Sequence, residues 1–235
     1  GNIIGSHFRL TSFGESHGVA IGGVLDGVPA GLKIDFDAIA QEVSRRRPGQ
    51  SHLTTSRNEV DEVEWLSGIF EGQTTGTPLA FIMRNKDARS KDYSELKDTF
   101  RPSHADYVYQ EKYGLRDYRG GGRSSARETA VRVVAGAVAQ QILQALDISV
   151  VSYVHQVEKV KLDSWQTEAT RDDVDASIVR CPDTIKSKEI ESLIGQVKAE
   201  GDSLGGTVRS VTHGLPVGLG LPVYDKLHAD LGKAL

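Results

Sequence analysis

The chain has 235 residues, 38% of them hydrophobic, enough for one sizeable core or two small domains. Its net charge of −4 creates no global positive field for nucleic acid or an anionic membrane, and its single cysteine, Cys181, excludes an internal disulfide framework and a cysteine-based zinc cluster. No apolar run approaches the roughly 18 residues of a membrane helix, and the N-terminal GNIIGSHFRL lacks the basic-then-apolar plan of a signal peptide. A reducing, cytoplasmic setting without nucleic acid, membrane or metal is the expectation.

Residues 7–13 (HFRLTSF) alternate as a strand, and 19–28 (VAIGGVLDGV) form a second, closed by a turn at Pro29-Ala30-Gly31. Between them GESHG matches G-x-S-x-G, the nucleophile elbow of serine hydrolases. That motif needs a helix after the serine and an oxyanion loop from an earlier strand. Here the serine is residue 16, little chain precedes it, and two adjacent glycines make residues 19–28 a poor helix. Ser16 is therefore read as a residue of a tight turn that presents Glu15 and His17. His17 is a candidate acid/base group, although a lone histidine is more often structural.

The stretch DFDAIAQEVSRR (35–46) reads as a short helix with Asp35 or Asp37 as its cap and Phe36, Ile39, Ala40 and Val43 on one side, ended by Pro48-Gly49. Residues 44–57 carry four arginines and no acid. Arginine grips carboxylate or phosphate with two donors at once, which lysine does not. The last turn of a helix favours cations anyway, but that explains one or two of them.

VEWLSGIF (63–70) and LAFIM (79–83) read as strands around the turn-rich EGQTTGTP. Residues 84–123 are polar, charged and Gly-rich with little periodicity, and so long a loop is usually functional or disordered. Within it His104 lies amid Arg101, Asp106 and four tyrosines, where it can exchange protons with a bound anion. Residues 101–132 hold six arginines and one lysine against four acids, which points to a small polyanionic ligand. RGGGRSSARET (119–129) leads a glycine run into a helix N-terminus, an anion site by geometry. It is neither a phosphate-binding GxxxxGK[ST] loop nor a dinucleotide turn.

Ser125 is expected to open the strongest helix, to about Leu146, with Ser125 and Glu128 as a capping box and Val131, Val134, Val138, Ile142 and Ala145 as its stripe. ISVVSYVHQV (148–157) is a strand, 158–190 a polar excursion, 186–200 a helix, and GGTVRSVTHGLPVG a strand and turn. His52, His155, His213 and His228 have no comparable context. The terminal YDKLHADLGKAL places Leu227, Leu231, Ala234 and Leu235 at helical spacing but lacks a closing Gly or Asn, which reads as a piece of a longer protein cut within or just after a helix. Strands that pair through short turns, interleaved with helices, predict an α+β fold.

Taken together, FGESHG (13–18), RRRPG (45–49), SGIFEGQTTGTP (67–78), RPSHAD (101–106) and YGLRDYRGGGRSSARET (113–129) resemble the chorismate synthase family in order and spacing. The resemblance runs from residue 1 to the end of the chain and implies one domain over 1–235 that lacks the family's C-terminal third. It implies a β-α-β sandwich, antiparallel sheets flanked by helices, assembled as a homotetramer. The implied reaction is the 1,4-anti elimination of phosphate from 5-enolpyruvylshikimate 3-phosphate to chorismate. Reduced FMN is required, with NADPH as an indirect reductant and in some members an external flavin reductase as partner.

By position, the resemblance makes His17 the residue that protonates reduced flavin and His104 the proton donor near the departing phosphate. Arg46, Arg47, Arg101 and Arg127 fall on substrate-binding positions. Arg123, Ser124 and Ser125, with Arg46 and His52, fall on cofactor-binding ones; His52 stands where the family usually has another basic residue. The family's remaining third carries further flavin contacts and an aspartate that assists proton removal at the flavin. The competing readings are a serine hydrolase acting through Ser16, and a non-catalytic binder of RNA or nucleotides using the arginine segments.

Overall fold

A computed structural model describes residues 1–47, 49–51, 53, 61–85 and 96–235. They form two compact units, one built mainly from Gly1–Arg47 and the stretch up to Ile142, the other mainly from Leu143–Lys233.

In the first unit an antiparallel sheet runs in the order β1-β2-β3-β7-β4. Its strands are β1 (Ile3–Ile4), β2 (Arg9–Gly14), β3 (Ala20–Asp26), β4 (Glu64–Trp65) and β7 (Leu79–Arg84). Register places Leu10 opposite Leu25, and Leu25 opposite Leu79. The apolar face so formed, with Ile21, Phe81 and Met83, is buried beneath α1 (Phe36–Arg46) and α3 (Thr129–Gln144). Val131, Val134 and Val138 of α3 are fully buried, worth about 1.5–3 kcal/mol each. The paired glycines of β3 permit this packing. A side chain at Gly23 would meet Val131 at 2.8 Å, and one at Gly22 would meet Phe13 at 2.6 Å.

Several expectations are corrected. The strand expected over 63–70 is split into β4 and β5 (Ile69–Phe70), because Gly68 takes a left-handed φ of +84°. β5 instead pairs with β6 (Gln73–Thr74) as a separate ribbon. The loop expected over 84–123 contains α2 (Asp106–Tyr113), closed by Gly114 in the left-handed conformation. It was unreadable because Tyr107, Val108 and Tyr113 are all exposed and leave no apolar stripe. Asp35, and not Asp37, caps α1, accepting from the Ala38 N–H at 2.9 Å.

The capping box at 125–128 does not form. Ser125 Oγ accepts from the Arg127 N–H, while the Glu128 carboxylate accepts from Ser12 Oγ at 3.3 Å and pairs with Arg132. Two short 3-10 turns, Gly122–Ser124 and Ala126–Glu128, therefore precede α3, which starts at Thr129.

The second unit holds a sheet of order β10-β8-β9: β8 (Ser149–Val157), β9 (Val160–Lys161) and β10 (Gly206–His213). Tyr153, Leu162, Val174, Val179, Cys181 and Ile190 form its core. The polar excursion 158–190 includes β9 and the short helix α4 (Arg171–Asp175). Helix α5 (Thr184–Ala199) begins two residues earlier than expected because Asp183 caps it, accepting from the Ile185 and Lys186 N–H groups. Helix α6 (Leu227–Ala234) realises the terminal periodicity. The α+β class stands: antiparallel sheets with helices packed on them.

Candidate active site

The site is assembled from three loops of the first unit. The first is the GESHG turn between β2 and β3. Asn85 Nδ2 donates to the Glu15 and Gly18 carbonyls, both at 2.9 Å, and fixes the turn from below. Ser16 is nearly buried; its Oγ donates to the Gly120 carbonyl at 3.2 Å and lies 3.2 Å from His17 Nδ1. A strand, β3, comes after this serine, so the hydrolase elbow lacks its helix.

The second loop is the glycine run. Gly120, Gly121 and Gly122 take φ of +62°, +89° and +54°, a conformation that side chains rarely adopt. A methyl group on Gly120 would overlap the His17 ring, and one on Gly121 would overlap the His104 ring. The two imidazoles thus flank consecutive residues, whose Cα atoms are about 3.8 Å apart. The glycine pattern was legible in sequence; its use, close approach of two rings, was not.

The third loop carries Arg101, His104 and Asp106. Asp106 is buried. Its Oδ2 accepts from Arg101 Nε at 2.8 Å and from the Arg101 N–H at 3.1 Å. Its Oδ1 takes Arg101 Nη2 at 2.9 Å and His104 Nδ1 at 3.0 Å. Arg101 Nη2 and His104 Nδ1 are 3.2 Å apart because both converge on that oxygen. Hydrogen bonds from Arg101 hold the Asp106 carboxyl well below the usual carboxylate range, against its burial. Nδ1 faces Arg101 Nη2 and Asp106 Oδ1, which leaves Nε2 as the nitrogen of His104 turned away from that pair.

Arg46 and Arg127 meet on another buried carboxylate. Asp61 Oδ2 accepts from Arg46 Nη1 at 3.1 Å, and Oδ1 accepts from Arg127 Nη1. Arg46 also donates to the Ala126 carbonyl and Thr129 Oγ1, both at 3.3 Å, and Arg127 Nε donates to Asn85 Oδ1 at 3.2 Å. Asp61 takes Arg46 and Arg127, and Asp106 takes Arg101 with Arg116 3.7 Å away, so these pairings position the guanidiniums.

The other expected residues are placed differently. Arg47 is the C-cap of α1, in the wall of a separate cavity of about 440 Å³ with Asp61 and Trp65. Arg123 donates to Ser12 Oγ at 2.6 Å, the Gly14 carbonyl at 3.1 Å and Asn2 Oδ1 at 3.1 Å, fastening the glycine loop to β2. Ser124 Oγ donates to the Gly121 carbonyl at 2.7 Å, and Ser125 caps the next 3-10 turn. His52 lies outside the described residues.

Behind the glycine run is a cavity of about 320 Å³ whose wall includes Glu15, Asp106, Tyr109, Tyr113, Arg116 and Arg123. Burial pushes the Glu15 carboxyl up, with Arg123 opposing. Hydrogen bonds from Arg119 pull Asp117 down. Asp61, Asn85 and Arg116 went unnoticed in the sequence, and Asp106 counted only as a neighbour of His104. The one signal they carried was that few acids stood among so many arginines.

The family model for chorismate synthase matches residues 8–235. The chain is 57% identical over 235 residues to the chorismate synthase of Christiangramia forsetii, covering all of this chain and 66% of that protein. It is 59% identical over 234 residues to the chorismate synthase of Phocaeicola vulgatus, covering 65% of that protein. The chain thus spans just under two thirds of the length of these relatives. A crystal structure of chorismate synthase superposes with a TM-score of 0.71 at 30% identity, over 92% of this chain and 61% of the other. The chain belongs to the chorismate synthase family.

Proposed function

We propose that this chain carries the substrate-handling face of a chorismate synthase, eliminating phosphate from 5-enolpyruvylshikimate 3-phosphate to give chorismate. Family membership supports the reaction. The observation that carries it is the packing of two imidazoles against adjacent glycines beside arginines that buried Asp61 and Asp106 hold in place. The substrate bears one phosphate and two carboxylates, and Arg46, Arg101 and Arg127 bind and orient these groups, with Arg47 standing apart in the neighbouring cavity. The elimination breaks a C–O bond to phosphate and a C–H bond and forms a C=C bond. His104, with Nδ1 on Asp106, gives a proton from Nε2 to the departing phosphate. His17 holds a proton on the opposite side of the glycine run.

The residues present fit reduced FMN. Arg46 and the Ser125 hydroxyl, which accepts from the Arg127 N–H and keeps its own proton, offer donors to an anionic group, and Ser124 Oγ, whose proton goes to the Gly121 carbonyl, offers an acceptor. Those three residues would hold it; Arg123 acts by fastening their loop. When bound, reduced FMN supplies a reducing centre whose electrons are returned in each turnover, since the reaction has no net redox change. In this reading NADPH acts only by reducing the flavin, directly or through an external reductase. The assembly is a cytoplasmic homotetramer, and the family's remaining third completes the flavin site.

Anaerobic incubation of the full-length protein, this chain with the family's remaining third, with reduced FMN and substrate should release inorganic phosphate in equal amount to chorismate. Phosphate release that proceeds without reduced flavin, or no release at all, rejects the reading.

A further inference from the structure

One buried guanidinium closes the loop that delivers Arg101, His104 and Asp106. Arg116 comes just after the left-handed cap of α2, and its side chain is only 5% exposed. Its Nη2 lies 2.6, 2.9 and 2.6 Å from the carbonyl oxygens of Leu96, Lys97 and Thr99. Its Cζ stacks 5.1 Å from the centre of the Phe100 ring. Nη1 has no hydrogen-bond partner among the described residues and stands 3.7 Å from Asp106 Oδ1. That oxygen already takes Arg101 Nη2 and His104 Nδ1.

A strap for the backbone alone would need only Nη2. A buried N–H left unpaired is unfavourable. The arrangement is understandable if Nη1 acts on the carboxylate through its charge.

The geometry points to Arg116 as a positioning residue for His104, acting through Asp106. Nη1 helps fix the carboxylate oxygen that stands 3.0 Å from the imidazole Nδ1, while Nη2 fixes the backbone from which Arg101 and His104 project. The planar fork serves both ends of the loop at once, which the single ammonium of lysine does not. Only the kinetic consequence rests on the acid/base role proposed for His104; the positioning stands apart from it.

The test compares Arg116→Gln, Arg116→Lys and Asp106→Asn by side-chain nitrogen NMR of the histidines and by steady-state kinetics. In the parent protein His104 should show one dominant tautomer. Arg116→Gln and Asp106→Asn should show mixed tautomers, and Arg116→Lys an intermediate mixture, since it keeps charge near Asp106 but not the grip on three carbonyls. kcat should fall about 10–100-fold in Arg116→Gln, the usual cost of losing a partner that orients a histidine, with KM changed less than about threefold. A folded Arg116→Gln protein whose His104 nitrogen signals match the parent overturns the inference; if that variant does not fold, parent-like signals in Arg116→Lys do the same. Mixed tautomers with unchanged kcat uphold the positioning and instead reject the role proposed for His104.

Discussion

Gly120 lies so close to the His17 ring that a single methyl group on the glycine would take the place of ring atoms. Gly121 stands in the same relation to His104. Gly120→Ala and Gly121→Ala should therefore displace one imidazole each. A displacement of about 1 Å costs on the order of 10²-fold in rate. The left-handed backbone adds about 1–2 kcal/mol of destabilisation. Gly114 is the control, because it has φ +71° and open space around its Cα. Gly114→Ala should lower the melting temperature similarly and leave turnover within about twofold. Paired melting and kinetic measurements decide it; equal kinetic losses at all three glycines would show that the rings are not what the run accommodates.

Asp61 joins Arg46 to Arg127, and its side chain is wholly buried. Asp61→Ala leaves two guanidiniums facing one another without their counter-ion, at a cost of about 3–5 kcal/mol. Urea unfolding should show the lower midpoint. Inorganic phosphate, which could take the place of the lost charge, should stabilise Asp61→Ala more than the parent. Equal phosphate effects on both proteins would mean that these arginines do not form an anion site.

Sequence distance explains why His17 and His104 were legible while their supports were not. The histidines stand inside short motifs, GESHG and RPSHAD, that are read without any long-range contact. Asp61 lies 66 positions from the Arg127 it pairs with, and nothing local marks it. Glu128 sits three residues after Ser125, as a capping box requires, yet Ser12 and Arg132 draw its carboxylate away. Helix α2 lacks an apolar stripe, so its existence depends on Asp106 turning back to Arg101 and on Gly114 closing its end. The family resemblance places Arg123 at a cofactor position, and its contacts with Ser12 and Gly14 of β2 are long-range and unmarked in the local sequence. Local pattern located the candidate acid/base groups, and tertiary pairing chose the groups that hold them.

His155 in the second unit should govern acid stability. It is buried, and neither ring nitrogen has a hydrogen-bond partner among the described residues. Burial lowers its pKa from the ordinary 6.5, and the Arg209 and Lys161 charges push the same way. The unfolded chain therefore takes up a proton that the folded one resists, so stability falls as pH drops below 6.5. His155→Leu removes a titrating group and two unpaired polar atoms. Its unfolding free energy should depend less on pH between about 5 and 6.5 than the parent's. Parallel pH profiles for the two proteins in urea titrations would contradict this.

Glu15 and Asp106 line one cavity yet should respond to pH in opposite directions. Asp106 is held low by Arg101, so its ionisation adds stability above the ordinary value of 3.8, and that contribution is lost as pH falls below it. Glu15 is raised from 4.5 by burial, so the folded state keeps a proton that the unfolded state releases, and stability falls as pH rises past 4.5. Glu15→Gln presents the same shape without a charge to bury, and it retains an acceptor for the Arg123 N–H. It should be more stable than the parent at pH 7, with the difference shrinking toward pH 4. Asp106→Asn should be less stable at pH 7 and converge on the parent in acid. The two variants, tracked by urea midpoint across that range, should therefore diverge from the parent in opposite senses; if both destabilise at pH 7, Glu15 is ionised in the folded protein and acts as a counter-ion to Arg123.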